Sequence, residues 1–464
     1  MQISIVNLSQ LNPELRLDAE YYRPSNLAAE ALVRSKEHDI LGKLGHLVAG
    51  PFGSTVTASK YVKEPTYRYI RGQDVTGYFL RGDEPKYIGE QLFNSLSQFH
   101  VRPNDILITV VGMNFGKAAV LSAADVPAIF SCKSSLLRDV TANSFYLAAY
   151  FSSKTGFQLV RRGRRGAAQP GINLFDLRHI PVPKASDDLQ DRIDALCRRA
   201  RTSLTQADTQ YRHAERLLLE NVGLTGWQPT HTSAFARTFS DVVARRRLDA
   251  EHFQPKFSQM FRRLPTTVTI EPLGKLVRIT KGIEVGGRAY VPTGRAFLRV
   301  SNISKFGLVP DGTFTSTELY DKLRSEYEPT AGTMLLTKDA TPGVAYYLDA
   351  PVEGIVSSGV LRLRFIAYIP PRYLELVLNS IFVQLQIEQD AGGSVIRHWK
   401  PSQVAQTKIP RLGHERELAI DALVTESHKA RQRAAATLQA VAEAVELSIR
   451  STEREALASV SDSH

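Results

Sequence analysis

The sequence is poor in cysteine and has no long apolar segment. Its 464 residues include two cysteines, Cys132 and Cys197, which are too few for a four-ligand zinc site. We expect both thiols to be reduced. No apolar run reaches the roughly eighteen residues that a membrane-spanning helix requires. The first residues lack the basic and apolar regions of a signal peptide. We therefore expect a cytoplasmic protein.

The sequence also lacks the short motifs of common enzymes that act on nucleotides or DNA. It has no Gly-x-x-x-x-Gly-Lys-[Ser/Thr] loop, no Gly-x-Gly-x-x-Gly after a predicted strand, and no His-Glu-x-x-His. It has neither Asn-Pro-Pro-[Tyr/Phe] nor Asp-Pro-Pro-Tyr, with which an amino-methyltransferase would hold its target base. The sequence therefore predicts a protein without catalytic residues, bound cofactor or metal.

Positive charge is in excess. The chain has 58 Lys and Arg against 47 Asp and Glu, which gives a formal net charge of +11. An excess of positive charge draws a protein to polyanions, above all to nucleic acid. The charge therefore favours a partner such as DNA.

The most informative feature is an internal repeat. Residues 16–24 read Arg-Leu-Asp-Ala-Glu-Tyr-Tyr-Arg-Pro, and residues 247–255 read Arg-Leu-Asp-Ala-Glu-His-Phe-Gln-Pro. Further matches follow in the same order, with small shifts at the Gly, Pro and polar clusters that are typical of loops. They pair 41–44 with 273–276, 69–71 with 297–299, 105–109 with 333–337, 146–147 with 373–374, and 180–181 with 409–410. The chain is therefore predicted to be a tandem duplication.

Both copies have the same predicted order of secondary structure. Short apolar runs predict strands, and a helical pattern, a Gly-rich loop, a strand ending in proline and a long heptad-patterned helix follow. The segments are strands in 67–75, 105–111 and 128–137, helices in 145–160 and 372–387, terminal strands in 180–183 and 408–410, and long helices in 187–222 and from 415 to the end. The predicted fold class is α/β, with two similar domains of mixed sheets and helices and two long helices that pair as an antiparallel coiled coil.

These patterns predict five segments along the chain. They are a first globular domain (1–185), a central long helix (186–222), a linker (223–245), a second globular domain (246–412) and a C-terminal long helix that pairs with the central one (413–464).

Basic and amide side chains in the predicted loops are the candidate DNA contacts, because their donors and acceptors match phosphates and base edges. The strongest feature is the run Arg-Arg-Gly-Arg-Arg-Gly at 161–166, although an exposed loop without a ligand has the same composition. The corresponding loop at 390–400 is again Gly-rich and basic but differs in sequence, and the turn at 50–55 is a further candidate. The candidate residues are Arg161, Arg162, Arg164, Arg165, Gln169, Asn173, Arg71, Gln73, Asn114 and Lys117 in the first copy, and Lys281, Arg299, Asn302, Lys338, Arg397, His398 and Lys400 in the second.

The whole pattern resembles the specificity (S) subunit of Type I restriction–modification systems. The resemblance rests on the duplicated domains, on the Gln-Pro-Gly-Ile-Asn-Leu sequence at 169–174 that leads to Ile-Pro-Val-Pro at 180–183, and on the long helix after each copy. It implies that 1–185 and 246–412 are target-recognition domains, which read the two halves of an asymmetric, bipartite site in double-stranded DNA. It also implies that the paired helices fix the length of the unread spacer.

The same resemblance implies the partners and the cellular setting. Two modification (methyltransferase) subunits and the restriction (translocase) subunits would carry methyl transfer, ATP hydrolysis and cleavage, in the cytoplasm of a bacterium or archaeon. Three alternatives stay open. The chain could be a self-contained DNA methyltransferase or nuclease, a specificity module of another phage-defence assembly, or a coiled-coil adaptor that does not touch DNA.

Overall fold

The chain forms two units in the computed structural model, which describes residues 3–8, 11, 12, 14, 16–82, 84–112, 115–166, 169–309, 311–391 and 398–461. Unit 1 consists of Met1–Leu204 and Gln432–His464, and unit 2 consists of Thr205–Arg431. Each unit thus has one globular part and a share of both long helices.

The globular part of unit 1 is a mixture of short strands and helices. Its elements are α1 (Pro24–Arg34), β1 (His38–Ile40), β2 (His46–Ala49), β3 (Tyr61–Val62), β4 (Tyr67–Ile70), β5 (Lys86–Ile88), α2 (Glu90–Ser95), β6 (Ile106–Thr109), β7 (Ala118–Val120), β8 (Ala128–Phe130), β9 (Ser134–Arg138), α3 (Ser144–Ser152), α4 (Lys154–Arg162), α5 (Leu174–Arg178) and β10 (Pro181–Pro183). The long helix α6 (Asp187–Asn221) follows and continues into unit 2.

The globular part of unit 2 repeats this order with a few additions. Its elements are α7 (Phe239–Arg245), α8 (Pro255–Arg262), β11 (Thr269–Pro272), α9 (Leu273–Leu276), β12 (Val277–Lys281), β13 (Tyr290–Val291), β14 (Arg295–Leu298), β15 (Ile303–Ser304), β16 (Gly307–Leu308), β17 (Phe314–Thr315), α10 (Thr317–Tyr327), β18 (Thr333–Thr337), β19 (Ala345–Tyr347), β20 (Gly354–Val356), β21 (Val360–Phe365), α11 (Pro371–Asn379), α12 (Ile381–Asp390), α13 (Pro401–Gln406) and β22 (Lys408–Arg411). The long helix α14 (His414–Arg450) returns to unit 1, where α15 (Glu453–Ser461) ends the described chain.

Sheet topology confirms the predicted duplication. The sheets of unit 1 have the strand orders β2-β9-β6-β7, β3-β5-β4-β8 and β1-β10. Unit 2 has the matching orders β12-β21-β18-β19, β13-β17-β14-β20 and β11-β22. The parallel pair of each second sheet is also repeated, as β4 with β8 and β14 with β20. Strands β6 and β18 are buried at every residue, which agrees with their uninterrupted apolar sequences.

The single helix predicted for each copy is in fact two helices that meet at a serine. Ser153 lies between α3 and α4, and its hydroxyl accepts a hydrogen bond of 3.1 Å from the N–H of Gly156, which caps α4. A Cβ at Gly156 would lie 1.9 Å from the carbonyl oxygen of Tyr150, so this close approach requires glycine. In unit 2, Ser380 separates α11 from α12. Apolar residues resume after each junction, at Phe157 and at Ile381, so periodicity alone did not show the break.

The long helices pair in opposite directions, as predicted. In unit 1, Ile193 of α6 is buried in the same apolar cluster as Val445 of α14. In unit 2, Leu218 of α6 is buried in the same cluster as Ile420 of α14. The beginning of α6 therefore lies beside the end of α14, and the end of α6 beside the beginning of α14. The predicted α/β fold class, with two similar domains and two long helices, is confirmed.

No helix among the described residues is long and apolar enough to cross a membrane. No group of three or more histidine, cysteine or acidic side chains within the same described ranges could hold a metal ion.

Candidate nucleic-acid interface

The arginine of the repeated Arg-Leu-Asp-Ala-Glu sequence holds the candidate DNA loop in both copies. The guanidinium of Arg16 donates hydrogen bonds to the carbonyl oxygens of Gly163 (3.3 Å) and Arg164 (3.0 Å). Arg247 donates in the same manner to the carbonyl oxygen of Asp390, the last residue of α12, at 3.3 Å. The sequence revealed the repeat but did not predict this role of its arginine. The signal that could have shown it is the presence of arginine at the same position in both copies.

Carboxylates fix both of these arginines. Arg16 lies 2.7 Å from Asp18, and Arg247 lies 2.6 Å from Asp249, so the third residue of the repeat orients the first. Arg16 also forms an ion pair of 3.1 Å with the buried carboxylate of Asp176. Charge-assisted hydrogen bonds of this kind are stronger than neutral ones. The repeated sequence therefore gives each loop a rigid base.

Both loops also return to the fold at the same place. After β6, Val111 forms an antiparallel bridge with Gly171, and after β18, Asp339 forms one with His398. The next N–H groups donate to matching carbonyl oxygens, both at 2.9 Å, from Ile172 to Val110 and from Trp399 to Lys338. Two sequences that share little identity here are thus held in one backbone arrangement.

The arginines of the unit 1 loop have different environments. Arg162 is 8% exposed and forms an ion pair with Glu30, so its side chain contributes to the fold rather than to a free surface. Arg165 forms an ion pair of 2.8 Å with Asp176 but keeps part of its side chain in solvent. The side chain of Arg164 is exposed. Arg164 is therefore the strongest candidate contact of this run.

Arg161 and Lys117 belong to a half-buried cluster of positive charge. The guanidinium of Arg161 lies 4.8 Å from the ring centre of Phe115. Burial and the nearby guanidinium of Arg164 lower the pKa of Arg161. Burial, Arg81 and Arg161 lower the pKa of Lys117. Like charges held this close favour an anion between them, such as a DNA phosphate.

Gln169 and Asn173 lie on the returning part of the same loop and differ in availability. Gln169 is exposed, and its Oε1 accepts a weak hydrogen bond of 3.4 Å from Nζ of the exposed Lys133. Asn173 caps α5 because its Oδ1 accepts a hydrogen bond of 2.7 Å from the N–H of Asp176. Asn114 lies outside the described residues. Lys117, Lys133, Arg161, Arg164 and Gln169 are called the unit 1 basic surface below.

Candidate residues in the turns after β4 and β14 mostly bind the turns themselves. Arg71 pairs with the fully buried carboxylate of Asp74 at 2.7 Å, whereas Gln73 beside it is exposed. At the equivalent place in unit 2, the N–H of Arg299 donates to Oδ1 of the buried Asn302 at 2.8 Å. The guanidinium of Arg299 forms an ion pair of 2.6 Å with Asp311. Only Gln73 of this group presents its side chain fully to solvent.

The unit 2 loop presents a different set of side chains. Nδ1 of the exposed His398 lies 2.8 Å from Asp339, whose other oxygen lies 2.5 Å from Nζ of Lys338. Partial burial raises the pKa of Asp339, but the hydrogen bonds from Lys338 and His398 outweigh it, so the pKa is lowered. Lys400 and Lys281 are exposed, and Arg397 lies outside the described residues. Lys338, His398 and Lys400 are called the unit 2 surface below.

No family model and no curated protein matches the chain, but several solved structures are similar to it. The S subunit of a Type I restriction–modification system from M. genitalium is 12% identical, over 91% of this chain and 95% of that chain, with a TM-score of 0.38. The HsdS subunit from Thermoanaerobacter tengcongensis is 15% identical, over 91% of this chain and 96% of that chain, with a TM-score of 0.29. The chain is similar to Type I S subunits over almost its whole length. The type IIG restriction endonuclease BpuSI is 9% identical over 39% of this chain and 28% of its own, with a TM-score of 0.30.

Proposed function

We propose that the chain is the DNA-recognition (specificity) subunit of a Type I restriction–modification complex. Each unit would read one element of an asymmetric, bipartite site in double-stranded DNA. The chain itself would carry no catalytic residue, and its partners would perform methylation and cleavage. The setting would be the cytoplasm of a bacterium or archaeon.

One observation carries the proposal. The same arginine of a repeated sequence holds a loop at the same place of a repeated fold, while the side chains that the loops present are different. A shared scaffold with divergent polar loops is what two readers of two different DNA elements require, because base edges are distinguished by hydrogen-bonding groups. The unit 1 basic surface offers guanidinium, ammonium and amide groups, and the unit 2 surface offers imidazole and ammonium groups.

Partners follow from the duplication under the same proposal. Two copies of one methyltransferase subunit would each bind an equivalent part of the repeat, and restriction subunits would join them. Helices α6 and α14 contribute to both units without interruption, so we propose that they set the length of the unread spacer. Insertion of four residues near Ala200 lengthens a helix by about 6 Å and should shift the spacer by about one or two base pairs.

Co-expression with candidate methyltransferase subunits tests the proposal. We expect one copy of this chain to co-purify with two methyltransferase subunits, and sequencing of modified bases should reveal one bipartite motif that disappears when this chain is omitted. Incubation of the chain alone with DNA and a labelled methyl donor, or with magnesium, should give neither methylation nor cleavage. Methylation or cleavage by the purified chain alone would overturn the proposal in favour of a self-contained enzyme.

A further inference from the structure

Phe52 occupies the tip of an anchored turn next to the unit 1 basic surface. It lies between two buried residues, Pro51 and Val56. The turn is closed by a hydrogen bond of 2.9 Å from the N–H of Thr55 to the carbonyl oxygen of Phe52. Phe52 itself is 87% exposed although its neighbours Pro51 and Val56 are buried. A large aromatic side chain is thus held in solvent by the fold.

Close backbone contacts fix this turn beside the candidate DNA loop. A Cβ at Gly50 would lie 2.4 Å from the carbonyl oxygen of Ser131, so this close backbone approach requires glycine. A Cβ at Gly53 would be in ordinary van der Waals contact with Sγ of Cys132, at 3.4 Å. The following residue, Lys133, reaches Gln169 with its Nζ. Phe52 therefore projects from the rim of a surface whose charge suits the DNA backbone.

We propose that Phe52 is a wedge that enters the base stack of the DNA element bound by unit 1. The inference rests on the proposed function and deepens it. Phenylalanine is one of the apolar side chains that proteins insert between base pairs. At 87% exposure the residue is available for stacking, whereas a pocket that reads a thymine methyl would enclose one side of the ring. The closed turn keeps the ring in solvent before DNA binds. The unit 1 basic surface would hold the duplex against the ring.

The equivalent turn of unit 2 lacks such a ring. Gly282 lies close to the carbonyl oxygen of Ser357, as Gly50 does to that of Ser131. A Cβ at Gly282 would lie 2.2 Å from this oxygen. The residue two positions further on is Glu284, whose carboxylate accepts a hydrogen bond of 2.5 Å from Ser358. The wedge therefore distorts only the element bound by unit 1.

Full-length wild type, Phe52→Ala and Phe52→Leu are compared on DNA that carries 2-aminopurine at successive positions of the selected site. Wild type should raise the fluorescence at one step of one element, Phe52→Ala should abolish that rise, and Phe52→Leu should keep part of it. Affinity for the site should fall about tenfold or more in Phe52→Ala, which is the usual effect of losing one base–aromatic stack. The matched control is Phe239→Ala, an equally exposed phenylalanine (81%) on α7 of unit 2, which should change neither quantity.

Three results would overturn the inference while leaving the proposed function intact. One is an unchanged fluorescence rise in Phe52→Ala. Another is a loss of affinity in Phe239→Ala equal to that in Phe52→Ala. The third is that replacement of one thymine by uracil changes the affinity of wild type but not that of Phe52→Ala, while no 2-aminopurine signal appears. Phe52 would then read a thymine methyl group rather than enter the base stack. Failure of wild type to select any DNA sequence would instead refute the proposed function.

Discussion

The guanidinium of Arg16 donates a hydrogen bond of 3.0 Å to the carbonyl oxygen of Arg164, which lies 148 residues further along the chain. Arg247 makes the corresponding contact with the carbonyl oxygen of Asp390 in the second copy. A stretch that the two copies share therefore supports loops that differ in sequence.

Substitution of Arg16 by alanine should destabilise unit 1 and disturb DNA binding. The change removes one partner of the buried Asp176 and two hydrogen bonds to the loop, so the free energy of unfolding should fall by about 2–4 kcal/mol. Arg23→Ala is the control, because Arg23 forms only an exposed pair with Glu20 and should cost about 1 kcal/mol or less. Urea unfolding measures both, and equal costs would contradict the role given to Arg16.

Removal of the exposed Arg164 should weaken DNA binding mainly through charge. If Arg164 contacts one phosphate, Arg164→Ala should reduce the slope of log affinity against log salt concentration by about 1. Fluorescence anisotropy over a salt series measures this slope, with Arg23→Ala as an arginine of the same unit outside the basic surface. A slope that Arg164→Ala leaves at the wild-type value would exclude such a contact.

A buried carboxylate connects α11 to α14 in unit 2. Glu375 is fully buried, lies 2.6 Å from both Arg372 and His428, and accepts a hydrogen bond of 2.6 Å from the N–H of Tyr347. Glu375→Ala leaves His428 and the N–H of Tyr347 without this buried partner, and it leaves Arg372 with Asp349 alone. The free energy of unfolding should therefore fall by about 3–5 kcal/mol. Glu353→Ala, which breaks an exposed pair with Arg295, should stay near zero in the same urea experiment. Equal stabilities of the two variants would show that the buried network contributes nothing.

The pair of Glu30 with Arg162 predicts a pH dependence of stability. Burial raises the pKa of Glu30, but the charge and hydrogen bonds of Arg162 and Arg34 outweigh it, so the pKa is lowered in the fold. A lowered carboxyl pKa stabilises the fold above the unfolded-state value of about 4.3, and this contribution is lost as the pH falls through the folded-state pKa. The stability difference between wild type and Glu30→Gln should therefore be largest near pH 7 and shrink below about pH 4. A difference that grows on acidification would show that the fold does not lower the pKa of Glu30.

Much of the fold could be predicted from the sequence because the repeat and the periodicities are local signals. The duplication, the order of elements and the pairing of the long helices follow from them. The breaks at Ser153 and Ser380 were not predicted. The break at Ser153 depends on a cap and on the close contact of Gly156, which arise only where the two helices meet, whereas Ser380 makes no side-chain cap.

The candidate site was less predictable than the fold. Arg161 and Arg162 are neighbours in sequence, yet one step along α4 turns Arg162 inwards to Glu30. Asn173 and Asn302 are equally polar in sequence, but both are used by the backbone of their own turns. The role of Arg162 depends on Glu30, which lies 132 positions away in the chain. The hydrogen bonds of Asn173 and Asn302 are local, but an amide at such a position can equally face a ligand, so the sequence alone did not separate the two uses.

Selection of bound sequences from random double-stranded DNA shows whether each unit reads its own DNA element. The full-length chain is used as wild type and as two double variants. One double variant is Gln73→Ala with Gln169→Ala, two exposed candidate residues of unit 1, and the other is His398→Ala with Lys400→Ala. We expect two short conserved blocks separated by a gap of constant length, with each double variant relaxing one block and leaving the other unchanged. A single uninterrupted block, or relaxation of both blocks by either variant, would contradict it.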